Sequence, residues 1–315
     1  GISFGFRFDQ DNFTSDNNIF SNFSPRLSFS YSLSENNDWK LNLSTGLYYK
    51  IPTYTALGFK DINDNFLNAN MLYTKSNHYV LGIEYNSSNS SRFTIESFYK
   101  KYNNYPISVF DNISLANKGA DFEVLGNELL LSNGKGKSYG LEFLYQQKLQ
   151  NNFYGIFSYT FFFSEFSNLD NIYLPSVWDN RHLISFTGGY KLKKNWEISS
   201  KLRYTGNTPY APVDTASSSL SYPEIIFDYS QLGNYFLQSF TKLDLRVDKR
   251  WNFKSTSMNF YIDIENILGN EIPIPPEYGL ARDEKQNILM PINLIEVESD
   301  NRNSVIPSIG FVFYF

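Results

Sequence analysis

Ile2-Ser3-Phe4-Gly5-Phe6-Arg7-Phe8-Asp9 alternates without a break, with large apolar side chains at the even positions and Ser, Gly, Arg and Asp at the odd ones. Extended backbone turns successive side chains to opposite faces, so this stretch has one apolar face and one polar or minimal face. That is a strand, because a helix would repeat its apolar stripe every 3.6 residues. The pattern returns at Leu27, Phe29, Tyr31 and Leu33 against Arg26, Ser28, Ser30 and Ser32. It returns again at Leu41, Leu43, Thr45, Leu47 and Tyr49 against Lys40, Asn42, Ser44, Gly46 and Tyr48. Tyr79, Leu81, Ile83 and Tyr85 follow, then Phe93, Ile95, Ser97 and Tyr99, then Tyr139, Leu141, Phe143 and Tyr145. Further segments lie near 153–163, 182–192, 196–204, 241–251 and 256–266. The last is Ile309, Phe311, Phe313 and Phe315 against Ser308, Gly310, Val312 and Tyr314, which makes twelve predicted strands.

The connections fall into two alternating classes. The short ones are Glu35-Asn36-Asn37-Asp38, the turn from Asn86 to Ser91, Gln150-Asn151-Asn152, Lys193-Lys194-Asn195 and the turn around Lys254-Ser255. The long ones run over about 10–24, 50–77, 102–136, 164–181, 205–240 and 268–304. An antiparallel up-and-down sheet with tight turns at one end and long loops at the other is the plan of a transmembrane β-barrel, with its turns in the periplasm and its loops outside. An even strand number places the C-terminus on the short-turn side.

Composition agrees with that plan. Aromatic residues make up 18% of the 315, with 24 Tyr and 29 Phe, yet no apolar run approaches the eighteen or so residues a membrane helix needs. Only alternate strand residues would meet lipid, so overall hydropathy averages out. In a soluble sandwich the apolar face would be smaller and richer in β-branched aliphatics. Unpaired strand edges in hydrocarbon cost several kcal/mol per backbone group, so the sheet is expected to close. With no Cys, disulfide frameworks and thiolate metal sites are excluded. A net charge of -5 without a Lys or Arg block excludes a nucleic-acid groove. The chain starts at Gly1 with no export leader before it, so an exported gene product is expected to have had its beginning removed.

Leu243-Asp244-Leu245-Arg246-Val247-Asp248-Lys249-Arg250, followed by Tyr261-Ile262-Asp263-Ile264-Glu265-Asn266-Ile267-Leu268, resembles the penultimate hairpin of TonB-dependent receptors. The end of the chain, Pro307 to Phe315, is similar to the terminal aromatic strand that barrel-assembly machinery recognises in that family. Gly136 to Phe143, with its Ser138-Tyr139-Gly140-Leu141-Glu142 core, and Trp178-Asp179-Asn180-Arg181-His182 resemble receptors of the Bacteroidetes type. The likeness runs over essentially the whole chain, 1–315, as one domain. It implies the C-terminal portion of a barrel of about 22 strands in the outer membrane of a Gram-negative bacterium. It further implies uptake of a scarce nutrient (siderophore, vitamin, glycan or peptide) rather than enzyme catalysis, with no cofactor. The implied partners are the lipid bilayer, a plug domain and about ten N-terminal strands upstream of Gly1, the TonB complex acting through that plug, and a surface lipoprotein.

Candidate site residues come from two places. On the inner face of the penultimate hairpin, Asp244, Arg246 and Asp248 are expected beside Asp263 and Glu265 as a charge ladder that braces the wall and seats a plug. In the long loops, aromatics beside amides suit glycans or large chelates, and Tyr54, Trp178, Asp179, Tyr210, Tyr222 and Tyr235 are the candidate ligand contacts. The bland alternative for these is the outer aromatic girdle or packing within their own loops. Asp61, Asn63 and Asn65 begin a calcium-loop spacing, but Phe66 stands where Gly is needed and Leu72 where a bidentate Glu is needed, so no metal is expected. Two rival readings are a self-contained twelve-stranded channel or secretion pore, and an outer-membrane hydrolase using His78 or His182 beside a Ser or Asp.

Overall fold

A computed structural model describes residues 1–14, 18–87, 90–119, 125–297 and 305–315. The predicted Asn86 to Ser91 turn and the loops over 10–24, 102–136 and 268–304 therefore lie partly outside the described residues. Twelve strands form one antiparallel path, each paired with the next in sequence. They are β1 (Ile2–Arg7), β2 (Ser24–Ser32), β3 (Trp39–Lys50), β4 (Thr74–Asn86), β5 (Ser91–Ser108) and β6 (Leu130–Gln150). Then come β7 (Phe153–Ser167), β8 (His182–Leu192), β9 (Trp196–Thr205), β10 (Phe240–Asn252), β11 (Ser257–Glu265) and β12 (Ile306–Tyr314). Both edges, β1 and β12, pair on one side only among the described residues. These twelve strands thus do not meet the expected closure by themselves, because each edge still exposes a row of backbone donors and acceptors.

Register carries the alternation from strand to strand. Tyr31, Leu41, Ile83, Ile95, Phe143, Tyr159, Ile184 and Tyr204 are successive cross-strand partners from β2 to β9, so they share one face. That face is open to its surroundings, with Leu81 47% and Phe311 61% exposed, as expected of a wall that meets lipid. Toward the short turns, Trp39, Tyr85, Phe93 and Tyr145 line up ring to ring at 4.5, 6.3 and 4.5 Å. Toward the loops, Tyr99, Tyr139 and Phe163 do the same at 6.4 and 5.1 Å. The apolar band therefore has an aromatic border on each side. On the opposite face bare backbone positions take large rings, as at Gly310 and Gly189. An added Cβ at Gly310 would lie 2.4 Å from the Tyr261 ring, and one at Gly189 would lie 2.6 Å from the Tyr154 hydroxyl.

Short turns close by local chemistry. Asn151 and Asn152 hold φ of 50° and 69°, the left-handed pair that a two-residue hairpin requires. Long loops hold structure beyond the predicted strands. They contain α1 (Tyr54–Leu57), α2 (Leu115–Lys118), α3 (Thr215–Ser221) and a separate hairpin of Glu277–Leu280 with Leu294–Val297. Strands β5 and β6 also run further into the 102–136 region than the sequence pattern does, to Ser108 and from Leu130. Beyond the lipid band both faces of a strand meet loops or water, so backbone pairing continues while apolar alternation stops.

Candidate functional site

Loop residues make the first half of the site, and buried amides hold them. Thr53 caps α1 by accepting from the Ala56 amide. Ala56, Leu57 and Met71 then pack with Leu115 and Leu130 into a small core shared by two loops. Asn68, 1% exposed, sits beneath it. Its Nδ2 donates to the carbonyls of Ala56 at 2.8 Å and Glu128 at 2.7 Å, and its Oδ1 accepts from the Leu130 amide at 3.0 Å. Asn117 does the same work one loop on, donating to the carbonyls of Leu174 at 2.9 Å and Pro175 at 2.7 Å. Asn180 donates to Thr208 Oγ1 at 2.7 Å, Ser219 Oγ accepts from the Leu294 amide at 3.2 Å, and the Tyr73 hydroxyl donates to Asp11 at 2.8 Å. Each long loop is thus tied to the next, and the loop end is one continuous rim.

Asp179 belongs to this stitching. It is 1% exposed, accepts from the Ser164 amide at 3.2 Å and lies 3.0 Å from the Arg181 guanidinium. Burial pushes its carboxyl up to about 6, against the lowering pull of Arg181 and the Ser164 amide and with a further push from Glu165. The other loop candidates are spread along the rim. Tyr54 is 83% exposed on α1, and Trp178 and Tyr222 are exposed elsewhere. Only Tyr210 and Tyr235 come together, with ring centroids 6.0 Å apart and the Tyr210 amide donating to the Tyr235 carbonyl at 3.2 Å. Burial, then the nearby Tyr278 and Glu296, raise the Tyr210 hydroxyl above its ordinary value. Tyr278 and Glu296 face each other in the loop hairpin and were not anticipated. Their only sequence signal is a four-residue alternation inside a long loop.

A cavity of about 340 Å³ opens between two of the loops, lined among others by Phe110, Lys118, Glu128, Ile226, Phe227 and Tyr229. Lys118 is held at its floor by Asp111 and, at 2.6 Å, by Glu128. Aromatic walls over a fixed ion cluster could orient a large polar solute.

The inner wall is the second half. Arg246 makes a two-point bond to Asp248 at 2.8 and 2.9 Å and reaches Asp263 at 3.7 Å. Lys242 bonds Glu265 at 2.9 Å and approaches Asp244 at 3.7 Å. Asp244, Arg246, Asp248, Asp263 and Glu265 therefore do share one face, but with a second cation that the sequence reading left out. Lys242 was legible, two residues before Asp244 and so on the same face. Lys201 and Arg203 of β9 line the same hollow of about 490 Å³. Farther round, Glu96 and Glu142 stand directly opposite each other across β5 and β6. Like charges in that position repel, and a cation between them would relieve it.

The two histidines part company. His182 is on the apolar face, 2.9 Å from the Tyr159 hydroxyl and against the rings of Tyr159 and Phe161. His78 is on the inner face with Nε2 2.8 Å from Ser76 Oγ, but its cross-strand neighbours are Gly46 and Lys100 and its ring lies on Tyr48. Among the described residues no carboxylate is bonded to this Ser–His pair, which Lys100 flanks, so nothing there would hold an imidazolium. Asp61 spends its carboxylate on its own tip, accepting from Asn63 and Asn65 at 2.8 to 3.0 Å. Among the described residues no group of three or more His, Cys, Asp or Glu is placed to hold a metal. No helix is long and apolar enough to cross a membrane, a statement that does not bear on strands.

Comparison with known proteins comes down to one family and a set of folds. The family model described as TonB dependent receptor-like, beta-barrel matches residues 2–267. No curated protein matches the chain. Among solved structures, the outer membrane transporter YddB from Escherichia coli superposes with a TM-score of 0.59 at 12% identity, over 99% of this chain and 42% of that one. The ferripyoverdine receptor of the outer membrane of Pseudomonas aeruginosa, bound to ferripyoverdine, gives 0.56 at 13% identity, over 92% of this chain and 32% of that one. The ferric yersiniabactin uptake receptor FyuA from Yersinia pestis gives 0.55 at 13% identity, over 93% and 37%. Identities this low speak to the fold alone, and the chain spans well under half the length of each of these proteins.

Proposed function

This chain belongs to the TonB dependent receptor-like β-barrel family, and from that premise we propose that it forms wall and rim of a receptor that captures a scarce nutrient outside the cell. The family is one of outer-membrane receptors and transporters rather than enzymes, and the strands lie in the outer membrane. In the proposed function the nutrient passes along the inner wall under energy delivered by TonB. The observation that carries this reading is the stitched rim: six loops, tied one to the next by buried Asn68 and Asn117, half-buried Asn180, Tyr73 and Ser219, present rings and a charged cleft above a polar interior. A rim built only to shield a pore would not need its loops locked to one another.

Residues 1–315 are in this reading the C-terminal portion of the barrel, completed by N-terminal strands and by a plug through which TonB acts. The opposed Glu96 and Glu142 and the ladder around Arg246 face the side where a plug would sit, and a basic plug segment would quench the first pair. For capture we assign Tyr210 and Tyr235, with exposed Tyr54, Trp178 and Tyr222 as outer contacts. Siderophore, vitamin, glycan and peptide all suit rings beside amides. Two neighbours of the same fold are named for ferric chelates, which puts such chelates first among the solutes to try.

The test is uptake by cells that express the complete receptor, offered radiolabelled ferric chelates, corrinoids, oligosaccharides and peptides, with and without TonB. One class should accumulate only with TonB. Tyr210→Ala with Tyr235→Ala should weaken its binding about tenfold, at about 0.5–1.5 kcal/mol per ring contact. Accumulation that is equal without TonB would overturn the proposal in favour of an open channel.

A further inference from the structure

The register that builds the apolar face also leaves a dent in it. One outward row runs Leu27, Thr45, Tyr79 and Tyr99 across β2 to β5, and the next row toward the short turns runs Phe29, Leu43, Leu81 and Ser97. Thr45 and Ser97 are short where their neighbours are bulky. The surface sinks between them into a hollow of about 540 Å³ whose lining includes Leu27, Phe29, Leu43, Tyr79, Leu81 and Tyr99. In a membrane only hydrocarbon can fill such a space, because water there would find almost no polar partner.

One row toward the loops, the chemistry changes sharply. Tyr79, Tyr99 and Tyr139 are followed on the same outward face by Asn77, Lys101 and Lys137, and then by Lys75. Lys137 is bonded to Glu165 at 2.9 Å, while Lys101 is exposed and Lys75 lies 6.0 Å over the Tyr49 ring. Three lysines against one carboxylate on a lipid-facing wall are tolerable only at headgroup height, where an ammonium finds phosphate. The hollow lies beneath Lys75 and Lys101, with Lys137 one strand to the side, and the tyrosine row marks the interface between hollow and lysines.

We propose that the outer face of β2 to β6 binds a phosphorylated lipid of the outer leaflet, with an acyl chain in the Thr45–Ser97 hollow and the phosphate among Lys75, Lys101 and Lys137. This site is on the opposite face from the inner wall, so it stands whatever solute the receptor carries. It needs only that the long loops face outward.

The experiment is native mass spectrometry of the complete receptor released from nanodiscs made of equal parts phosphatidic acid and phosphatidylcholine with identical acyl chains. Wild type should retain phosphatidic acid over phosphatidylcholine by about tenfold, because the ammonium groups attract the charged headgroup. Lys75→Gln, Lys101→Gln and Lys137→Gln together should erase the preference. Ser97→Phe, which fills the hollow, should lower retention of both lipids and the preference with it. Heat-modifiable gel mobility shows that each variant keeps its barrel, and Ser97→Leu replaces Ser97→Phe if the larger ring prevents assembly. Equal retention of the two lipids by wild type would overturn the proposal. So would a Ser97 variant that holds phosphatidic acid as wild type does, since the lysines would then attract lipid without any hollow.

Discussion

At the short-turn end of the sheet, Asn37, Asn151 and Lys194 reverse the chain with φ of 58°, 50° and 59°, and each turn is settled by residues that neighbour one another in sequence. At the long-loop end the work is done by Asn68, Asn117 and Asn180, whose partners lie 60, 57 and 28 residues away. Both ends use asparagine, for opposite reasons. In a tight turn its short side chain tolerates the left-handed backbone; in the rim the amides of Asn68 and Asn117 serve backbone groups that a buried loop cannot expose to water, and that of Asn180 serves the Thr208 hydroxyl. The turn end is therefore cheap and local, and the rim is expensive and cooperative, which is the property a solute-capturing surface needs if its contacts are to be held ready.

Removing one amide from each end should separate them most widely. Asn68→Ala strands the carbonyl of Glu128 and the amide of Leu130 and takes one donor from the Ala56 carbonyl, which keeps the Phe59 amide; at about 1–3 kcal/mol per unsatisfied group the local loss is about 2–6 kcal/mol. Asn151→Ala costs only the left-handed backbone, about 1–2 kcal/mol. Hydrogen exchange of the reconstituted protein reads both. With Asn68→Ala, amides around α1 and at the start of β6 should exchange faster by the factor that loss sets, while β8 to β11 keep their protection. If Asn151→Ala opened its end more than Asn68→Ala opens the rim, the contrast between local and cooperative ends would be wrong.

Between the ends, the wall obeys a different rule, in which the face matters and the partner hardly does. Leu141 and Glu142 are sequence neighbours on opposite faces of β6. Leu141→Arg puts a charge against lipid and should cost about 2–4 kcal/mol of folding free energy in vesicles, read by denaturant titration. Glu142→Gln should be neutral or slightly stabilising, since it removes the repulsion from Glu96, worth less than about 1 kcal/mol. Similar costs for the two changes would mean that the faces are not lipid and interior.

This rule explains what could be read in advance. Period two needs only the residue itself, so all twelve strands, their faces and the alternation of turn and loop were in the sequence, and so was the ladder around Arg246. Its second cation, Lys242, was equally legible from its position two residues before Asp244. The full extent of β5 and β6 was not, because pairing beyond the lipid band leaves no alternation. Nor was the rim. Nothing near Asn68 in sequence points to Glu128, and nothing near Tyr210 points to Tyr278, because those contacts exist only once the wall has placed the loops side by side. Asp179 illustrates the same limit, since nothing beside it in sequence shows that its carboxylate accepts from the Ser164 amide.

Asp179 also gives the finest test of the contrast, through pH. A carboxyl raised from 3.8 to about 6 in the folded rim binds a proton that the unfolded loop has already released. Its contribution is therefore whole below about pH 4 and is lost as pH climbs through about 6, the reverse of an acid whose folded value is depressed. The shift corresponds to roughly 2–3 kcal/mol of opening free energy. Exchange of the Ser164 amide and of residues 168–181, corrected for the intrinsic rate, should show that loss between pH 4 and pH 7. Asp179→Asn should flatten it, because an amide oxygen still accepts from Ser164 but has no proton to lose. The Gln150-Asn151-Asn152 turn should show no such dependence, since none of its side chains titrates. A loop stability that is level or rising over this range in wild type would mean that Arg181, at 3.0 Å, outweighs burial after all, and that the rim is held at this point by an ion pair and not by a proton.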